Sequence, residues 1–410
     1  MDEKVFVAPI EAPGITTKVI TPEDEYSYFF GYYDIQPFSK DGKYHLCNRA
    51  KFEERIPGPD DVLELGAIEL ETGKFIKFAE TTTWNFQQGA MLRWYQDDSH
   101  IIFNTFENNS VRSCVLNIQT GERRFLPLPI ADLTKDGTKA VSVNFSRIFN
   151  FRNGYGYPAI RDPYFYERAP KNDGVFLMDT RTGETKLLVS IADIKDRFPC
   201  KPFSDGKLVV NHINFNPSGT RYVMLVRNFL EDGMSWKSQL ITGDLEGNLY
   251  LLANYSMESH YNWKNDNELL IFGGHTLENT TDWGLNLYTD LTDNMHRIEE
   301  PEWDMSVREL EKVKDIHCLY SPNRRYIMGD GYPDKEKCRN LHLIDTQEKK
   351  EIVLGRYHSY NYGKGLDEFR CDLHARFDRT GRYASFDSNH IGKRCICLLD
   401  LSGLEGYSYR

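Results

Sequence analysis

Apolar, β-branched and aromatic runs such as Ile101-Ile102-Phe103 recur along the chain, separated by polar turns rich in Gly, Asp and Asn. That pattern predicts many short strands, because a helix would repeat its apolar positions every three or four residues. One window does have helical spacing: from Asp304 to Asp315, Met305, Val307, Leu310 and Val313 stand against Arg, Glu and Lys. It predicts a short helix inserted between strand units. The segment from Arg147 to Asp173 carries Pro158, Pro163 and Pro170 among seven aromatics. Its prolines predict a loop and its rings a surface platform.

The strand pattern is periodic. Each unit runs aromatic, polar turn, strand, second strand, then an Asp/Glu-x-x-x-Gly hairpin ahead of a last strand. Phe38-Ser39-Lys40-Asp41-Gly42-Lys43-Tyr44 opens the first copy and Ile68-Glu69-Leu70-Glu71-Thr72-Gly73-Lys74-Phe75 closes it. Met91-Leu92-Arg93-Trp94 opens the second, which ends in Leu116-Asn117-Ile118-Gln119-Thr120-Gly121. A more irregular third ends in Met178-Asp179-Thr180-Arg181-Thr182-Gly183. Later copies open at Phe215, Trp263, Tyr320 and Phe377. Seven such units, each too small to bury its own faces, predict an all-β fold: one seven-bladed β-propeller of four-stranded antiparallel blades. Its single domain spans 1–410, with blades starting near 35, 91, 141, 212, 260, 317 and 374. Residues Val5 to Val19 are expected to supply an outer strand closing the ring beside the last blade.

Composition narrows the function. Fifty basic residues against 61 acidic give a net charge of −11, which argues against a nucleic-acid partner. Any anionic ligand must therefore be held by local groups. Hydrophobic residues make up 40% of the chain without a run long enough to span a bilayer, so no membrane partner is expected. The eight cysteines are scattered, and the first residues show no basic-then-apolar leader, so a cytoplasmic location is expected. The oligomeric state is not readable.

Aligning the seven starts exposes the candidate chemistry. Three residues before the aromatic stand His212, His260, His317 and His374 in four consecutive blades, while the first two blades carry Ile35 and Met91 there. Equivalent positions on innermost strands ring the central channel, so the four imidazoles should converge at one mouth. A lone buried histidine is usually structural; four in register suggest a metal site or a general base. Cys371 lies three before His374, and a thiolate among imidazoles would favour Zn²⁺, whereas oxygen ligands would admit Mn²⁺ or Ca²⁺.

The blade pattern, the His-x-x-aromatic starts, Gly329-Asp330-Gly331 and Asp372-Leu373-His374-Ala375-Arg376-Phe377 resemble the propeller polysaccharide lyases, the oligogalacturonate and ulvan lyases. Phe30-Gly31-Tyr32-Tyr33-Asp34, Trp84-Asn85-Phe86-Gln87-Gln88-Gly89 and Gly154-Tyr155-Gly156-Tyr157 are similar to that group too. The resemblance implies a divalent ion held by His317 and His374, with His260 as base. Cys371 stands where the oligogalacturonate enzymes have an amide ligand, and Arg376 where they have a further histidine. Gln88 and Asn108 lie near the places of the ulvan lyases' early-blade histidines.

These parts suit β-elimination on an anionic oligosaccharide. The proton beside a uronate carboxylate becomes removable once a metal or arginine neutralises that carboxylate, and a His or Tyr base then takes it. The expected catalytic residues are His260, His212, Tyr157 and Arg161, the last two on the aromatic loop beside Tyr155 and Arg168. The expected metal ligands are His317, His374 and Cys371, around Zn²⁺ or Mn²⁺, with Ca²⁺ admitted. A peptidase would need a Gly-x-Ser-x-Gly elbow, which the chain lacks. A glycoside hydrolase would need facing carboxylates, and none recurs in register. The rival is a binding propeller without catalysis.

Overall fold

The computed structural model describes residues 4–199, 206–229, 236–254, 258–274, 283–293, 295–297, 316–360 and 368–410. Seven antiparallel sheets, each with one strand lining the axis, form a seven-bladed propeller. Strands hold 44% of the chain. In chain order the innermost strands are Ser27–Phe29, Arg93–Tyr95, Asp132–Leu133, Lys207–Phe215, Tyr261–Trp263, Leu319–Tyr320 and Arg376–Phe377. The third of these lies ahead of 141, because Val141 is on the blade's second strand, Lys139–Ser142. With two residues and no aromatic, that inner strand carries none of the repeat's signal.

The recurring hairpin has a simple cause. Gly73, Gly121 and Gly183 sit at φ of 72°, 77° and 78°. Each donates its N–H to the carbonyl four residues back, on Glu69, Asn117 and Asp179, at 2.8–2.9 Å. A side chain at that left-handed position would be strained, so the turn needs glycine.

The N-terminal segment contributes to two blades. Ile10–Glu11 pairs with Lys350–His358 as a fifth strand of blade six. Lys18–Val19 pairs with Cys395–Asp400 as the outer strand of blade seven, whose other strands come from the chain's last forty residues. Apolar faces of neighbouring blades pack into one large cluster that runs from Ile20 to Ile241 and back to Ile396.

Two α-helices occur among the described residues, Phe145–Phe151 and Ile191–Arg197. The first starts just ahead of the stretch expected as loop and runs into it: Asn144 caps it by accepting from the Arg147 N–H, and the three following prolines mask it in the periodicity. The second has a full capping box between Ser190 and Asp193. The helix expected over 304–315 lies outside the described residues. No helix among those described is long and apolar enough to cross a membrane.

Candidate active site

Blade one supplies the centre of the site by breaking its own inner strand. Ser27–Phe29 pairs with the second strand, and pairing resumes only at the Phe38–His45 bridge. Between them Gly31–Gln36 bulges into the channel. Arg376, buried to 1%, holds the bulge by donating to the carbonyls of Gly31 (2.5 Å) and Tyr32 (3.3 Å). Asp387 completes the anchor, accepting from Arg376 Nη1 at 3.2 Å and from the Phe30 N–H. Arg376 is therefore a structural clamp at the position where the resemblance places a histidine.

The bulge delivers Tyr32 and Tyr33 among the four histidines. Tyr32 meets His212 and His374 edge to face, with ring centroids 4.8 and 4.9 Å apart. Tyr33 lies 5.5 Å from His317 and 5.9 Å from His260. The imidazoles also touch one another: His260 and His317 are 4.1 Å apart, and His317 and His374 are 4.4 Å apart. The shared register thus brings together all four histidines, and all are buried.

Their surroundings differ. His212 stacks on Tyr261 and shares a 2.8 Å hydrogen bond between Nε2 and Asp34. Burial alone would raise Asp34, but His212, Arg93 and Asn214 together outweigh it and keep the carboxyl below its ordinary value. His317 Nδ1 lies 3.2 Å from Asp330 Oδ2, which orients the ring with Nε2 turned away from that carboxylate. The same Asp330 oxygen accepts the Leu373 N–H at 3.0 Å, coupling His317 to the loop that carries His374. His374 adopts φ +44°, a left-handed conformation costly for a side chain. Met91, three before its own blade's aromatic, shares it at φ +55°, whereas Ile35, His212, His260 and His317 at the same register do not. Burial, then neighbouring His317, holds His374 neutral, far below the ordinary histidine value, and its buried Nε2 has no hydrogen-bond partner.

His317, Asp372 and His374 place one possible ligand atom each within 4.8 Å of one another. Two imidazoles and a carboxylate suit a divalent ion of the Mn²⁺ or Zn²⁺ kind, and the partnerless His374 nitrogen fits such an occupant. Burial would raise Asp372, but Arg370 and Arg339 overcome it and keep it ionised, at 2.9 and 2.7 Å.

Asp372 takes the place expected for Cys371. The chain over 371–375 is irregular and turns at His374, and that turn brings Asp372, not Cys371, beside His374 and His317. The Cys371 thiol is fully buried, pushed up by that burial, and its charged neighbours are Arg394, Asp387 and Arg339. Tyr157 also lies outside the cluster: it stacks on Phe145 at 4.4 Å, and its hydroxyl accepts from Asn104. Arg161 is exposed and donates to the Tyr166 hydroxyl at 2.8 Å.

Tyr155 does reach the site, edge-on to Tyr32 and 3.3 Å from Arg370 Nη2. Buried Arg227 stands near Tyr155, Tyr32 and Tyr332, and burial, with Arg152 nearby, pulls it down to about 10. Sequence reasoning missed Arg227, although an arginine closing the apolar run Tyr222-Val223-Met224-Leu225-Val226 is a visible signal.

Fold and site together define a seven-bladed propeller with a histidine-lined channel mouth. Within that class the chain is similar to an oligogalacturonate lyase solved in complex with manganese (TM-score 0.65, 15% identity, 98% of both chains covered). It is similar too to the oligogalacturonate lyase of Vibrio parahaemolyticus (TM-score 0.64, 14% identity, 98% and 99% covered). The hydrazine synthase of Kuenenia stuttgartiensis shares the fold more loosely, at TM-score 0.50 and 8% identity over 92% and 96% of the chains. No protein-family model and no curated protein matches the chain. The seven-bladed propeller expected from the blade motifs is the architecture found, the one shared with the two oligogalacturonate lyases.

Proposed function

We propose that the protein is a lyase that cleaves uronic-acid-containing oligosaccharides by β-elimination at the histidine cluster. The observation that carries this reading is the convergence of four buried imidazoles at one channel mouth, in a propeller similar over 98% of its length to a manganese-complexed oligogalacturonate lyase. His317, His374 and Asp372 would hold a divalent ion. When bound, the ion would withdraw charge from the uronate carboxylate and so acidify the neighbouring C–H.

The remaining work falls to this chain's own side chains. His260, 4.1 Å from His317 and on the preceding blade, is placed to take the C5 proton as a neutral base. The electron pair of that C–H becomes the C4–C5 double bond, the C4–O bond breaks, and the leaving oxygen takes up a proton. Arg227 and Arg370, beside Tyr155, supply positive charge for substrate carboxylates. His212, bonded to Asp34, positions the bulge rather than acting on substrate. A cytoplasmic location fits the seven described cysteines, all free and six of them buried.

The test is ultraviolet absorbance of the unsaturated product on a panel of uronate glycans, with and without added Mn²⁺. Metal-dependent growth of that absorbance on at least one glycan is expected. A flat response across the panel would leave the binding propeller as the reading.

A further inference from the structure

Further along the channel, past the layer of Tyr261 and Asp34 that touches His212, lies a separate open cavity of about 480 Å³. Its size is that of an ordinary small-ligand pocket. It sits at the other end of the innermost strands. In blade five, His260 precedes the strand Tyr261–Trp263, and Trp263 at the strand's end lines the cavity.

Two features suggest that the cavity is built for a ligand. The first is an excess of positive charge: Asp34 and Asp132 on the lining are engaged by His212 and Arg93, and Asp98 acts on Arg379 without pairing with it. Arg324 and Arg379 line it and donate to main-chain carbonyls, of Trp263 at 3.4 Å and Phe38 at 3.1 Å. Neither pairs with a carboxylate among the described residues. Arg324 is held there at a conformational cost. In the equivalent tight turn, four other blades place Gly42, Gly137, Gly219 and Gly381 at φ between 69° and 82°; blade six places Arg324, at φ 62°. Each of the five donates its N–H to the carbonyl three residues back, so the turns are the same. A side chain in that conformation costs about 1 kcal/mol or more, and such strain clusters where a residue serves a ligand.

The second feature is a set of hydrogen-bonding groups without partners. Trp263, 5% exposed, has no acceptor for its Nε1–H, and the buried Tyr261 hydroxyl has no partner. Arg93 Nε also lacks an acceptor, and Asn214 Oδ1 lacks a donor. Polar groups left this way cost stability unless something fills the space between them.

We propose that this cavity is a second, non-catalytic binding site for a sugar of one or two residues carrying an anionic group. Arg324 and Arg379 would take the anion, and the partnerless groups of Trp263, Tyr261 and Asn214 the hydroxyls. The site does not depend on the reading of the histidine cluster.

Calorimetric titration of the full chain with D-galacturonate, glucose 6-phosphate, galactose and inorganic phosphate tests it. Saturable binding of at least one acidic sugar is expected, at least about tenfold tighter than galactose or phosphate. The two acidic sugars distinguish a carboxylate from a phosphoryl ligand. Arg324→Gly combined with Arg379→Ala should weaken that binding by about tenfold or more. Arg324→Gly alone should leave the melting temperature unchanged or raise it, because it restores the turn's preferred residue. His317→Ala should leave binding here intact. The proposal is overturned if no acidic sugar binds saturably, if the arginine substitutions leave the affinity unchanged, or if His317→Ala is what removes it.

Discussion

His260 and His317 touch each other, yet the environment assigns them different work. Asp330 fixes the His317 ring and couples it to the loop bearing His374, whereas His260 meets Tyr33 and His317 from outside the group formed by His317, Asp372 and His374. His260→Ala should therefore leave bound metal near the wild-type level and lower turnover by about 10²- to 10⁴-fold. His317→Ala should lose the metal, together with the stability that binding adds. Equal metal loss in both variants, read by elemental analysis, would make His260 a ligand and pass the role of base to another group. A second residue-level effect concerns Glu258, buried to 2% with no hydrogen-bond partner for either carboxyl oxygen. Burial pushes it up to about 8, so the folded state keeps it protonated while the unfolded chain ionises near 4.5. A raised acid stabilises fully below the unfolded value and loses that contribution as pH climbs to about 8, at roughly 1.4 kcal/mol per unit between the two. Glu258→Gln should thus gain on the wild type progressively between pH 5 and pH 8 in thermal melts. A pH-independent offset would show that the carboxyl is ionised in the fold.

At the scale of the element, the bulge in blade one decides whether the histidines form a site or only line a channel. Gly31 sits there at φ +132°, and a Cβ would come within 2.9 Å of the Gln88 carbonyl carbon, which is backbone and cannot swing aside. Gly31→Ala should cost about 1–3 kcal/mol and displace Tyr32 and Tyr33, so melting temperature and elimination activity should fall together. Full activity at a lowered melting temperature would detach the tyrosines from the chemistry. The bulge also marks where the sequence stops being legible. The hairpins announce themselves, because their glycines meet a local need, and the register of four histidines survives because inner strands repeat their geometry. Gly31-Tyr32-Tyr33-Asp34 is noticeable as a motif, but what drops it into the channel is Arg376 and Asp387, more than three hundred residues away. Asp372 is hidden for a nearer reason: the repeat fixes the place of His374, but the irregular chain ahead of it decides which neighbour faces the imidazoles.

For the whole molecule the question is what keeps seven blades from opening. Blade seven joins the chain's last strands to Lys18–Val19, and Ile10–Glu11 covers blade six. Between these strands Ile15, 5% exposed, packs with Leu343, Phe377 and Leu399 in the core shared by the two blades. Removing residues 4–19 would uncover the edges of Cys395–Asp400 and Lys350–His358 and expose that core. Loss of one buried Ile alone is worth about 1.5–3 kcal/mol, and the lost ladder bonds add to it. Spread over the unfolding entropy of a chain this long, the sum lowers the melting temperature by only ~3–5 °C. The larger effect should be kinetic and colloidal, since two bare edges offer templates for pairing with another chain. Light scattering during a slow melt should then rise before ellipticity is lost in the truncated protein and after it in the intact one. If both proteins scatter at the same point in the transition, the N-terminal strands cover the ring without closing it.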